Sequence, residues 1–186
     1  MKRSLILLTA ISVFMACNND KKKDDKMGDD KKDTKMSEKV NLPYEADYAD
    51  FKMGDPNNTK LVLDFYKVFE ENRLADGRSM LNDSVSVNFA DGNKFMGTAD
   101  SLLALGKQVR ASYSAYKVKI DACLSVHAND KNEDWVLLWN KEYTTDQKGK
   151  VDSAQGQSYW QIKNGKIAYW GELQAKLAPA AEMKQK

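Results

Sequence analysis

The chain has 186 residues, 42% of them hydrophobic, which is enough for one ordinary domain with appended segments. Its 29 basic and 27 acidic residues leave a formal net charge of only +2. Nucleic acid is therefore not an expected partner, because binding it calls for a concentrated basic patch or stripe.

Residues 1–16 have the organisation of a signal peptide. Met1-Lys2-Arg3 is a basic start, and an apolar run follows from Ser4 to Met15. The run is shorter than the roughly 20 residues of a membrane-spanning helix. Phe14-Met15-Ala16-Cys17 resembles a bacterial lipobox, which implies cleavage before Cys17 and lipid attachment to it. The alternative is an ordinary secretory signal with a chance cysteine.

Residues 17–39 are predicted to be the lipidated cysteine and a charged tether. Eight lysines and seven acidic residues lie between Asp20 and Lys39, and such a segment buries too little apolar surface to fold. Lys21-Lys22-Lys23-Asp24-Asp25 resembles the charged signals of Bacteroidetes surface lipoproteins. We therefore expect an outer-membrane lipoprotein of the bacterial cell envelope, held to the membrane by its lipid anchor. The sequence leaves open whether it lies on the periplasmic side or is displayed at the surface.

The first helix is predicted to begin after a lead-in. Residues 40–56 are too apolar for a linker, and we expect them to pack on the domain without regular structure. Asp55 suits the N-cap of a helix and Pro56 its first position. The apolar stripe of this helix comprises Leu61, Phe65, Val68 and Phe69.

Shorter elements follow in the middle of the chain. Leu74 to Leu81 is typical of a short second helix, and Ser84 to Phe89 alternates as a strand does. Asp91-Gly92-Asn93 predicts a turn. Phe95-Met96-Gly97 is expected to open a third helix, which Thr98 caps and which runs to about Ser112.

Long strands are predicted for the C-terminal half. Tyr116 to Val126 alternates over its whole length, which favours a half-buried strand. The stretch from Trp135 to Ala175 is divided by turn signals at Asp146-Gln147-Lys148-Gly149 and Asn164-Gly165, so it should form three antiparallel strands. The fold class is therefore α+β, with helices on one face of a curved antiparallel sheet. Residues 177–186 read as a flexible tail.

The predicted domain, residues 57–176, resembles the nuclear-transport-factor-2-like superfamily, which includes SnoaL-like and ketosteroid-isomerase-like proteins. The resemblance lies in the element order, in the strand and Asp-Gly turn of Val85 to Gly97, and in the aromatic strand and Asn-Gly turn of Tyr159 to Ile167. It implies a cone in which the sheet wraps the N-terminal helices and leaves an apolar pocket. It also implies homodimers formed through the outer sheet faces. Members include isomerases, cyclases and dehydratases as well as non-catalytic binding modules.

The isomerase pattern of this superfamily is incomplete here. Isomerases use a base near the end of the first strand, where this chain has Asn88 and Phe89, and asparagine cannot take a proton. Asp91 lies nearby, but in Asp-Gly it is more often a turn residue. Tyr66 on the first helix could match the family tyrosine, although a core aromatic is the commoner role.

Glu142 and Glu172 are the other acid–base candidates, each lying mid-strand among aromatic residues. If both faced the pocket, their like charges would raise one pKa and make an acid–base pair. If both faced out, they would be solvated rim charges. The sequence favours the outward arrangement, although both faces of these strands carry large residues.

The remaining candidates define a pocket rather than a reaction. Cys123 is expected to be a buried apolar residue, and the lone His127 does not predict a metal site, so neither metal nor cofactor is expected. The abundant aromatic residues either form core and dimer interface or line a pocket for a small apolar ligand. The pocket candidates are Tyr66, Phe65, Phe89, Trp139, Tyr159, Trp160 and Trp170.

Three functions are consistent with this sequence. The first, which the missing strand-end base favours, is a non-catalytic module that binds a small apolar ligand or a protein partner at the envelope. The second is a SnoaL-like enzyme that acts on a small hydrophobic substrate through Glu142, Glu172 or Asp91. The third is a structural domain that binds a partner through its outer sheet face.

Overall fold

The computed structural model of the protein describes residues 43–177. Its two α-helices are α1 (Pro56–Glu70) and α2 (Ala99–Ala111), and a 3₁₀ helix (Leu74–Met80) follows α1. The strands are β1 (Phe51–Met53), β2 (Leu81–Asn88), β3 (Lys94–Thr98), β4 (Tyr113–Ala128), β5 (Glu133–Asp146), β6 (Val151–Lys163) and β7 (Lys166–Lys176). The predicted signal peptide, the predicted lipid-attachment residue Cys17 and the predicted tether all lie outside the described residues.

These strands form a seven-stranded sheet in the order β1-β4-β5-β6-β7-β2-β3. Neighbours are antiparallel except for β2 and β7, which run parallel. The three antiparallel strands predicted between Trp135 and Ala175 are confirmed as β5, β6 and β7. Asn164 and Gly165 have positive φ angles of 54° and 70°, and the flanking Lys163 and Lys166 pair, so this turn has the geometry expected of Asn-Gly.

The helix starts also agree with prediction. The Asp55 side chain accepts a hydrogen bond from the Asn57 backbone N–H at 2.8 Å, and Pro56 opens α1. Thr98 caps α2 by accepting from the Ser101 N–H at 3.2 Å. Both caps satisfy backbone donors that have no partner within the helix.

Two short strands were not expected. Phe51–Met53 forms β1 at the sheet edge beside β4, so the lead-in is not wholly irregular. Phe95-Met96-Gly97 does not open a helix but lies in β3, which pairs with β2 across the Asp91-Gly92 turn. The hydrogen bonds of this hairpin outweigh the local pattern that suggested an early helix start. The predicted second helix is the 3₁₀ helix.

The alternation of β4 reverses at a bulge between Ile120 and Ala122. An extra residue in one strand turns the following side chains to the opposite face. Tyr116 and Cys123 consequently share one face, although strict alternation from the sequence placed them on opposite faces. Leu124 lies on the other face.

The helices cover one face of the sheet, called here the inner face, and the opposite side is the outer face. The core on the inner face joins Val62 and Phe65 of α1 and Leu102 of α2 to strand residues such as Val136 and Trp160. Burial of these side chains drives the packing of helices on sheet. Among the described residues, no helix is long and apolar enough to cross a membrane.

Candidate functional site

A cavity of about 670 Å³ lies between the inner face of the sheet and α1 and α2. Its volume is within the range of small-molecule sites. Its walls are largely apolar and include Phe65, Phe69, Phe89, Phe95, Leu102 and Trp160. A curved sheet that packs on helices along only part of its length leaves this space open, and the aromatic side chains make it suitable for an apolar ligand.

Glu142 on β5 and Glu172 on β7 both line this cavity, so the expected outward orientation is wrong. The strand registers explain their placement. Glu172 pairs with Ser158 across β6, and Ser158 in turn pairs with the buried Leu138 of β5, which fixes this row on the inner face. Glu142 follows Leu138 by four residues and therefore faces the same way.

The environment of Glu172 suits proton exchange. Burial raises the pKa of its carboxyl group to about 7, and the negative charges of Glu142 and Asp91 add to this rise. The Trp170 indole Nε1–H donates to Glu172 Oε1 at 2.7 Å and opposes the rise by stabilising the charged form.

Glu142 is held by two amide groups. Asn140 Nδ2 donates to Glu142 Oε1 at 3.0 Å, and Gln174 Nε2 donates to Oε2 at 3.2 Å. Gly156 of β6 makes room for Asn140, because a Cβ atom at this glycine would lie 2.6 Å from Asn140 Oδ1. The two glutamates of the cavity thus have different partners, an indole for Glu172 and amides for Glu142.

Two tyrosine hydroxyl groups belong to the same site. The Tyr66 hydroxyl lies 3.3 Å from Ser158 Oγ, and burial raises the pKa of Tyr66 well above its ordinary value. Burial also raises the pKa of Tyr116, and the neighbouring Glu142 adds to the effect. Both hydroxyls therefore keep their protons at neutral pH and are able to donate hydrogen bonds.

The β2–β3 turn supplies a polar part of the cavity wall through Asp91, Asn93 and Lys94. The Asp91 carboxylate accepts hydrogen bonds from the Asn93 backbone N–H at 2.9 Å and from its side-chain amide at 2.8 Å. Asp91 therefore has the turn role that its Asp-Gly context indicated, and it also contributes negative charge near Glu172.

Five of the seven pocket candidates line the cavity and two do not. Tyr66, Phe65, Phe89, Trp160 and Trp170 are lining residues, and Tyr66 is only half-buried rather than a fully enclosed core aromatic.

Trp139 and Tyr159 are placed on the outer face, so their assignment to the pocket is wrong. Trp139 follows the inner-face Leu138 by one residue and pairs with Ala122 after the β4 bulge. Tyr159 pairs with Gly171, which directly precedes the inner-face Glu172. Successive side chains of a strand point to opposite faces, so both aromatic residues lie on the outer face. The Tyr159 ring occupies the space above Gly171, where a Cβ atom would lie 2.3 Å from Tyr159 Cζ.

The outer face carries its own aromatic cluster. Trp135 lies 6.1 Å from Tyr169 and 6.3 Å from Tyr159 between ring centroids. Tyr48 of the lead-in packs edge-on against Trp135 at 5.8 Å. Asn88, at the end of β2, donates to the Tyr169 hydroxyl at 2.9 Å, so it contributes to the outer face and not to the cavity.

Sequence reasoning missed Tyr116, Asn140 and Gln174. The last two flank the glutamates at a spacing of two residues, which puts them on the same face of a strand. The Asn-Gly turn pairs Lys163 with Lys166, and this register alone would place Glu172 opposite Gln157. A register shift between Gln161 and Ile162 places it opposite Ser158 instead. No signal in the sequence located the β4 bulge. Within residues 43–177, no group of three or more side chains could hold a metal ion.

Comparison with known proteins supports the architecture. No protein-family model and no curated protein matches the sequence. Among solved structures, an LEH-like epoxide hydrolase from Mycobacterium tuberculosis has a TM-score of 0.55 and 12% identity, covering 64% of this chain and 83% of its own. A protein of unknown function from Burkholderia pseudomallei, described as NTF2-like, has a TM-score of 0.51 and 17% identity. The match covers 68% of this chain and 94% of that protein.

A second NTF2-like protein of unknown function, from Exiguobacterium, has a TM-score of 0.52 and 16% identity, covering 62% of this chain and 98% of its own. The structural similarity to these proteins agrees with the α+β architecture of this chain, in which a curved, unclosed sheet packs on helices. The chain therefore has the nuclear-transport-factor-2-like fold.

Proposed function

We propose that this protein is a SnoaL-like acid–base enzyme that moves a proton on a small hydrophobic substrate bearing a carbonyl oxygen. The observation that carries the proposal is Glu172, a carboxyl group in an apolar cavity whose pKa is raised to about 7. Such a group is able to take a proton from the substrate and return it at another atom near neutral pH.

The other polar groups of the cavity have complementary roles in this proposal. Glu172 removes a proton from the carbon next to the carbonyl group, and negative charge develops on the substrate oxygen. A protonated tyrosine, Tyr66 or Tyr116, stabilises that oxygen by donating a hydrogen bond. The proton on Glu172 then returns to a different carbon of the substrate, which completes an isomerisation without a cofactor.

Deuterium incorporation tests this reaction without knowledge of the natural substrate. The full chain carrying Cys17→Ser is incubated in D₂O with a panel of small cyclic ketones, and carbon-bound deuterium is measured by mass spectrometry. Glu172→Gln should lower the exchange rate at least 100-fold, because the amide cannot accept the proton. Glu45→Gln, which changes an exposed glutamate of the lead-in, is the matched control and should keep the wild-type rate.

A non-catalytic binding module is the second candidate. Its support is that β2 ends in Asn88, which faces the outer side and cannot act as the strand-end base of the isomerases. Ketones that bind equally well to wild type and Glu172→Gln, with no exchange in either, would favour this function. Equal exchange in both proteins would contradict the role of Glu172.

Location and assembly remain proposals that rest on the sequence. The lipobox-like segment supports export and anchoring through Cys17 in the outer membrane, with surface display. Labelled palmitate should enter the wild-type chain and not Cys17→Ser. The aromatic outer face supports either a homodimer or a partner-binding surface, and analytical ultracentrifugation of the Cys17→Ser protein distinguishes dimer from monomer.

A further inference from the structure

Two tryptophans form the wall of the cavity next to the carboxylates. Trp160 of β6 and Trp170 of β7 stack with their ring centroids 4.6 Å apart and their planes 18° from parallel. Phe65 of α1 contacts both edge-on, at 6.1 Å and 5.8 Å between centroids. Both indoles are buried, with exposed fractions of 2% and 5%, so the packing of the stack allows their rings little freedom.

The indole N–H groups of the stack have different acceptors. Trp160 Nε1 donates to Ser158 Oγ at 2.8 Å, and Ser158 lies next to the Tyr66 hydroxyl. Trp170 Nε1 donates to Glu172 Oε1 at 2.7 Å. Within the described part of the chain, Glu172 Oε2 has no hydrogen-bond partner. One oxygen of this carboxyl group is therefore fixed and the other is free for a ligand.

We propose that Trp170 is the positioning residue of Glu172, holding Oε1 through its stacked indole so that Oε2 is presented to the substrate. The catalytic consequence of this contact rests on the proposed function, whereas the contact itself does not. A carboxylate rotates freely about its last torsion unless one oxygen is held. Because the Trp170 indole N–H already holds the Glu172 carboxylate in one orientation, this orientation does not have to be established during the reaction.

The same contact sets how readily Glu172 binds a proton. Four other titratable groups face Glu172: Glu142 from β5, Asp91 from the β2–β3 turn, Tyr66 from α1 and Tyr116 from β4. Lys94 of β3 also lines the cavity. Burial and the two carboxylates favour the protonated form, and the indole N–H opposes them. Removing the indole N–H should therefore raise the pKa of Glu172.

Trp170→Phe and Trp160→Phe provide a matched pair of variants. Each leaves an aromatic ring in the stack and removes one indole N–H, from Glu172 in the first case and from Ser158 in the second. The pKa of Glu172 is measured by ¹³C NMR of glutamate-labelled protein, with Glu172→Gln identifying the signal. Trp170→Phe should raise this pKa by about one unit, as expected for loss of a hydrogen bond to a charged group, and Trp160→Phe should change it much less.

A second measurement leaves both tryptophans in place and so does not depend on how well the variants fold. The Trp170 indole N–H resonance of the wild type should shift with pH, with a midpoint near that of Glu172. In Glu172→Gln this shift should disappear. An indole resonance that does not respond to pH in the wild type, or an equal pKa of Glu172 in both tryptophan variants, would overturn the proposal.

Activity adds an independent outcome. If the deuterium exchange assay detects turnover, Trp170→Phe should reduce the rate roughly tenfold or more at the pH of its own maximum, and Trp160→Phe should reduce it less. A wild type without exchange would refute the proposed enzyme while the NMR titration still decides whether Trp170 holds Glu172. A Trp170→Phe protein with raised Glu172 pKa and an unchanged maximal rate would overturn the positioning role.

Discussion

Replacing Glu172 by glutamine should stabilise the protein in a pH-dependent manner. In the folded state the pKa of Glu172 is about 7, whereas its ordinary value is 4.5. Between these two pH values the folded protein binds more protons than the unfolded chain, so stability is full below about pH 4.5 and is lost as the pH rises through 7. Glutamine does not titrate, so the variant lacks this loss.

The difference in pKa corresponds to at most about 3 kcal/mol of stability at pH 8, and the partial exposure of Glu172 lowers this figure. For a domain of this size, 3 kcal/mol shifts the melting temperature by roughly 10 °C. The comparison is the difference in melting temperature between Glu172→Gln and wild type, measured by circular dichroism at pH 4.5 and at pH 8. We expect it to grow with pH in favour of the variant.

The exposed Glu45→Gln variant serves as control and should follow the wild type at both pH values. The reasoning would be refuted by a difference between Glu172→Gln and wild type that is the same at pH 4.5 and pH 8. That result would mean that the Glu172 carboxyl group has an ordinary pKa and is not enclosed by the cavity.

Three further variants or reagents test other parts of the structure. Gly171→Ala should lower the free energy of unfolding, measured with urea, by about 1–3 kcal/mol, because the added Cβ would meet the Tyr159 ring. An unchanged free energy of unfolding would contradict the close packing on the outer face. Asp55→Ala should lower the free energy of unfolding by about 1 kcal/mol through loss of the α1 N-cap, and an unchanged free energy would contradict the role of this cap. Burial raises the pKa of Cys123 to about 11. In the folded Cys17→Ser protein at pH 8, the Cys123 thiol should therefore react with a disulfide reagent roughly 100-fold more slowly than in the urea-unfolded protein. Equal reaction rates in the two states would show that the thiol is accessible.

The sequence was informative wherever a local signal had one physical meaning. Asn164-Gly165 needs two positive φ angles and forms the predicted turn, and Asp55-Pro56 starts a helix because each residue fits its position. The alternating strands and their turns were enough to predict the α+β architecture and its resemblance to the nuclear-transport-factor-2-like fold.

The orientation of the site residues depended on information that is not local. Both faces of β5 and β7 carry large apolar residues, so alternation alone could not tell which face the helices cover. The sequence favours solvent for Glu142 and Glu172 and the pocket for Trp139 and Tyr159, and the structure has both the other way round. The β4 bulge could not be predicted for the same reason, because it is defined by how Ile120 and Ala122 pair with residues of β5.

The pH dependence of deuterium exchange tests the central claim most directly, namely that Glu172 is the group that exchanges protons in the cavity. The rate for a bound cyclic ketone is measured from pH 5 to pH 9 in the Cys17→Ser protein. We expect the rate to rise with pH, to reach half its maximum near pH 7, and to be lost in Glu172→Gln. A rate that already levels off near pH 4.5, or one that persists in Glu172→Gln, would contradict this account.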